Sequence, residues 1–205
     1  MITINKQILT PHQKKNTFKY SPTANHFLSL VSGIDKETIE RATVFPRSIF
    51  RFIPWYNSKK GGGAITLGSD KKASITFTEN FFSEEKEIYS NRAYANNLYR
   101  WLRLSAHEVR HLEHAKKYRF FLFYLIVFAY QYILFGHDDA PLEKEADEGT
   151  KTFDAFYAFG QSHLNINILN ACFDESLAID DQIQLLDRFW NNFTDYRKNQ
   201  KDPTD

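Results

Sequence analysis

The ten residues SAHEVRHLEH, Ser105 to His114, hold three of the chain's seven histidines. His107, Glu108 and His111 stand in the pattern H-E-x-x-H. Residues four apart on a helix lie on one face, so the two imidazoles project side by side and can grip one ion. For Zn2+ each bond would be about 2.0–2.1 Å. Glu108, one step past the first histidine, can reach a water at that ion and act as its base. The competing reading is a helix face bearing solvated His and Glu. Two histidines alone do not make a catalytic site, which needs a third protein ligand and an open position.

Three groups are candidates for that ligand. His114 shares the face, but lies about 4.5 Å further along the axis than His111. That places it behind the site or on the surface. The triplet His137-Asp138-Asp139 reads more simply as a polar turn capping the next helix. "PLEKEAD" sets Glu143 and Asp147 four apart, again on one face. There Glu143 can ligate while Asp147 accepts the N–H of a ligating histidine, fixing its tautomer. Glu145 is expected to point elsewhere. Acids in a first helical turn also serve the helix dipole, which is the plainer explanation of "EKEAD".

"HEVRH" followed by "EKEAD" resembles the gluzincin class of zinc metallopeptidases, H-E-x-x-H … E-x-x-x-D. The likeness covers residues 46–160. It implies His107, His111 and Glu143 as zinc ligands, Glu108 as general base and Asp147 behind a histidine. It also implies two motif helices beneath a small sheet whose edge strand binds a peptide or protein substrate. "GGGAITLGSDKKASITF" is similar to that strand region, with Ala64, Ile65 and Thr66 as the substrate-edge candidates. Arg110 departs from the class, where the two middle motif positions are more often uncharged. The residue that would stabilise the oxyanion is not singled out; Tyr130, Tyr132, Tyr157 and His163 are all candidates.

The elements that must carry these residues follow from pattern. Residues 1–20 read as a loose arm. Asn25 to Val44 gives two short helices broken at Ser32-Gly33. Ala64–Leu67 and Ser74–Thr78 are β-branched runs around Gly68-Ser69-Asp70, a β-hairpin. Apolar residues recur at threes and fours from Tyr94 to Leu112, a long helix. Pro141 opens another, running to about Phe159, with Asp138 and Asp139 as caps. A further amphipathic helix covers "IDDQIQLLDRFWNNFTDY", and the tail "RKNQKDPTD" is expected to be disordered. The division expected is 1–45, an arm with short helices; 46–160, an α+β zincin-like core; and 161–205, a helical extension.

Phe120 to Phe135 carries no charge and a single Gln, Gln131. Sixteen residues make about 24 Å of helix, short of the ~30 Å hydrocarbon core. A single span would also put His111 and Glu143 on opposite sides of a bilayer, where they could not share an ion. The expectation is a buried core helix, with interfacial membrane contact as the alternative.

The bulk numbers exclude other classes. Net charge is +1 over 205 residues, which gives no electrostatic case for nucleic acid or for an anionic membrane surface. One cysteine, Cys172, rules out an internal disulfide framework. The polar start lacks a secretory apolar run, so a cytoplasmic location is expected, signal-independent export being also compatible. The expected function is zinc-dependent peptide hydrolysis. The alternatives are an inactive zincin-like scaffold and a membrane-associated protein built on 120–135.

Overall fold

The structure, a computed structural model, describes residues 7–12, 16–45, 63–69, 72–77, 97–118, 121–136 and 139–201. Its first elements are two short strands, β1 (Leu9–Pro11) and β2 (Phe18–Tyr20), paired antiparallel. The stretch expected as a loose arm therefore contributes strands, and Ile8 and Leu9 are buried. Helix α1 (Pro22–Ser32) begins where Ser21 accepts the Ala24 N–H and Pro22 presets the first turn. It stops at Gly33, whose φ of 73° is left-handed and lets its N–H reach the Ser29 carbonyl. Asp35 caps α2 (Lys36–Arg41) by accepting the Thr38 N–H at 2.8 Å.

Three more strands complete one mixed sheet: β3 (Thr43–Phe45), β4 (Ala64–Leu67) and β5 (Ser74–Phe77), in the order β1-β2-β3-β5-β4. β3 and β5 run parallel; the other pairs are antiparallel. The β4–β5 hairpin is the one expected from the sequence, and among the described residues β4 is an edge. The fold class is thus α+β.

The helices that follow are α3 (Asn97–Lys117), α4 (Phe121–Phe135) and α5 (Pro141–Phe159), then a π-helical turn (Gly160–Leu164), α6 (Ile168–Cys172) and α7 (Ile179–Lys201). Residues 197–201, expected to be disordered, continue α7. One hydrophobic core runs from Ile8 to Phe193, so residues from all three stretches marked out in the sequence pack together. Its centre is aromatic: Phe27 meets Phe153 edge-on at 5.7 Å and Phe173 at 5.9 Å. Cys172 belongs to this core, where burial pushes its thiol up to about 12.

α3 and α5 lie against each other, and Gly149 sets how closely. A Cβ there would stand 2.6 Å from the Ala106 carbonyl oxygen and 2.9 Å from Arg110 Cγ. The close approach outweighs the usual helical penalty of glycine, about 0.5–1 kcal/mol relative to alanine. Further along, Arg103 grips Asp154 through two nitrogens and Tyr99 donates to the same carboxylate.

α4 corrects an expectation. It is not a buried core helix. Leu122, Ile126 and Ile133 are 68%, 57% and 81% exposed, and only one side of the helix packs on the protein. An unbroken apolar run has no period and so names no inward face. Its lone amide has a role that sequence did not suggest: Gln131 accepts the Leu142 N–H at 3.0 Å, capping α5 from outside. Ala140 is the N-cap residue and offers no side-chain bond, while Asp139 pairs with Lys144 instead. Among the described residues no single helix is long and apolar enough to cross a membrane.

Candidate metal centre

α3 and α5 bring three donor atoms together. His107 Nε2 lies 3.2 Å from His111 Nε2 and 3.1 Å from Glu143 Oε2, and His111 Nε2 lies 3.7 Å from the same oxygen. Donors at zinc bond length around a tetrahedral centre stand about 3.3 Å apart. The three separations fall around that value. The spacing i, i+4 on α3 supplies the two imidazoles, and the antiparallel approach of α5 supplies the carboxylate.

What stands behind the histidines fixes their tautomers. His107 Nδ1 is 3.0 Å from Asp147 Oδ1. A carboxylate only accepts, so Nδ1 carries a hydrogen; the neutral ring would then turn its Nε2 lone pair inward, whereas the protonated ring also donates from Nε2 to Glu143. His111 reaches the same state by a longer route. Its Nδ1 is 3.1 Å from His114 Nδ1, and His114 Nε2 is 2.9 Å from Glu145 Oε2. Glu145 takes the His114 Nε2 hydrogen, His114 Nδ1 accepts from His111, and the His111 Nε2 lone pair also faces inward. Burial, then the neighbouring His111, lowers the His114 pKa and keeps it neutral for this role. With both rings neutral, two lone pairs and a carboxylate oxygen would converge, a donor set compatible with a bound metal ion.

Burial opposes charge on His107, but hydrogen bonds to Asp147 and Glu143 outweigh it and raise its pKa to about 10. Glu143, buried yet bonded to both histidines, is held well below the usual carboxylate range. The Asp147 carboxyl is lowered too, first by its bond to His107. These directions describe a pocket that stabilises positive charge.

Glu108 is buried beside the three donors. Thr66 Oγ1 lies 2.8 Å from Glu108 Oε2 and 2.9 Å from the Glu108 carbonyl. The edge strand β4 thus orients the carboxylate, and Thr66 turns its side chain inward to Glu108. Ala64, Ile65, Thr66 and Leu67 form one wall of a cleft of about 300 Å³, with His107, Glu108, His111 and Glu143 on its floor. Tyr124, Phe128 and Tyr132 of α4 form the opposite wall.

Several sequence candidates are sorted by this geometry. His114 stands behind His111, not on the common donor point. Arg110 points away: its guanidinium donates to the Ser32 carbonyl at the end of α1 and pairs with Glu113. Tyr132 lines the cleft, whereas Tyr157 packs on Tyr99 and His163 stacks against Phe159 and Tyr196. Tyr130 is 62% exposed. His137 and Asp138 lie outside the described residues. Two contributors were missed. Glu145 was expected to point elsewhere and instead anchors His114. Tyr124 was hidden in the apolar run, yet is buried in the cleft wall, where burial and the Glu108 and Glu143 carboxylates raise its pKa. Compared with family models, with curated proteins and with solved structures, the chain matches none of them.

Proposed function

We propose that the protein is a zinc-dependent peptidase of gluzincin type on a zincin-like fold. One observation carries the reading: three donors at tetrahedral spacing, each histidine with its outer nitrogen committed to a partner. The buried Glu108 and the adjoining edge strand support hydrolysis over metal storage. His107, His111 and Glu143 would hold the ion. Zinc bound there would lower the pKa of a coordinated water to about 7 and polarise a peptide carbonyl.

The remaining work falls to this chain's own groups. Glu108, aimed by Thr66, takes a proton from the attacking water and returns it to the leaving amine. Tyr124, kept protonated by burial, is the cleft hydroxyl assigned to donate to the carbonyl oxygen as it gains charge. An extended substrate would pair along Ala64–Leu67, which offers backbone N–H and C=O groups at an edge.

The test joins metal content to turnover. Purified protein should carry one zinc per chain, lost in both His107→Ala and Glu143→Ala. Glu108→Gln should keep the zinc and lose about 10²–10⁴-fold of the cleavage of a peptide library. Wild-type cleavage by Glu108→Gln would remove the mechanism, and zinc retained in both ligand variants would remove the site.

A further inference from the structure

We propose that the outward face of α4 docks on a lipid surface bearing anionic headgroups. Leu122, Phe123, Ile126, Tyr130, Ile133 and Leu134 fall within roughly one third of the helix circumference. All six are at least half exposed. Of the large hydrophobic side chains that are exposed among the described residues, only Ile179 lies outside α4. A contiguous apolar patch of this kind marks an interaction site.

Charge decides the occupant. The exposed Lys116 and Lys117 end α3 directly before the apolar run, and Arg119 follows them in the sequence. Lys117 Nζ stands 5.7 Å from the centre of the Tyr118 ring. Among the described residues, Glu113 pairs with Arg110, Asp139 at the far end of α4 pairs with Lys144, and Asp35, which caps α2, also interacts with Lys116. A basic end with tyrosines beside a bare apolar face complements anionic headgroups over acyl chains.

Length and topology decide the depth. Fifteen residues make about 22 Å of helix, less than the ~30 Å hydrocarbon core. The chain entering α4 and the chain leaving it both return to one cluster, since His111 and Glu143 lie 3.7 Å apart. α4 therefore lies in the interface without crossing it. Its inner face walls the cleft, so docking would set the cleft mouth at the lipid surface. On the peptidase reading, the favoured substrates would be peptides already at a membrane.

The full chain should be sedimented with phosphatidylcholine vesicles, with and without phosphatidylserine. Binding is expected to the phosphatidylserine vesicles, weakened by added salt, and weakened about tenfold or more by Lys116→Glu/Lys117→Glu. Leu122→Glu/Ile126→Glu should abolish it. Circular dichroism and zinc content check that each variant folds; if the apolar variant does not, the lysine variant and the salt series decide. Three outcomes overturn the proposal: sedimentation unchanged by either variant, no binding with a dimer that Leu122→Glu/Ile126→Glu dissolves, or no binding by a monomer. The second would make a copy of this chain the occupant; the third would leave the face covered by other residues of the chain itself. Sedimentation needs no turnover, so a failure here leaves the metal centre standing.

Discussion

α5 reaches the cleft through Glu143, backs His107 from outside it through Asp147, and continues into the core through Phe153 and Phe156. α4 reaches the same cleft through Tyr124 and Phe128, and turns Leu122, Ile126 and Ile133 outward. The two helices flank one site with opposite kinds of commitment. α5 is fixed by directional bonds and by a buried stripe. α4 meets α5 through the Gln131 cap and packs by a partial apolar face. The difference teaches that sidedness is encoded by alternation of polar and apolar residues, and that an apolar run without alternation leaves its partner to be chosen by whatever is available.

The largest break in this comparison should come from Phe153→Ala. Removing a fully buried ring should cost about 3–5 kcal/mol in denaturant unfolding. A loss no greater than that of an α4 surface variant would mean that α5 is not the core helix described. Next is the relay behind His111. His114→Ala should weaken zinc binding about 10–100-fold, as other supports of metal-bound histidines do. Titration against a competing chelator reads it, and an unchanged affinity would reduce the relay to a packing contact.

The pH dependence follows from His107. With its pKa raised from 6.5 to about 10, the metal-free fold keeps this stabilisation in full below pH 6.5 and loses it as pH rises towards 10. Glu143, lowered from 4.5, acts oppositely, and its contribution is lost only as pH falls below that value. The melting temperature of chelator-treated protein should therefore drop between pH 6.5 and 10, while the zinc-loaded form, with His107 already deprotonated, stays level. A flat metal-free profile would contradict the raised His107 pKa. The smallest effect is expected from Ile126→Ser, within about 0.5 kcal/mol in detergent-free buffer. A cost of several kcal/mol would show that the outer face of α4 is already covered.

Legibility followed the same division. His107 with His111, and Glu143 with Asp147, could be placed on shared helix faces because i, i+4 spacing is a local geometric fact; that the two pairs meet was implied only by the resemblance. Glu145 could not, because its reach to His114 depends on how α3 and α5 cross, and that crossing depends on Gly149. The β4–β5 hairpin was legible in its β-branched runs and turn residues. That Thr66 faces Glu108 required the register of β4 against α3, which no local pattern carries. Arg110 looked like a fault in the motif because only its charge was visible; its direction, towards Ser32, belongs to the packing of α1. Tyr124 was masked by its neighbours, all aromatic or aliphatic, so nothing set it apart.

The position of β4 has a consequence for selection. A strand edge recognises a neighbour by its main chain, and only a chain whose amides are not already paired can lie against it. If cleavage follows that route, the first filter is the conformation of the target and the second is its side chains. Native domains would pass untouched, and the same sequence would become a target once it frayed. On the proposed reading, a protein with such an edge above its metal centre would discriminate folded from unfolded before it discriminated one sequence from another.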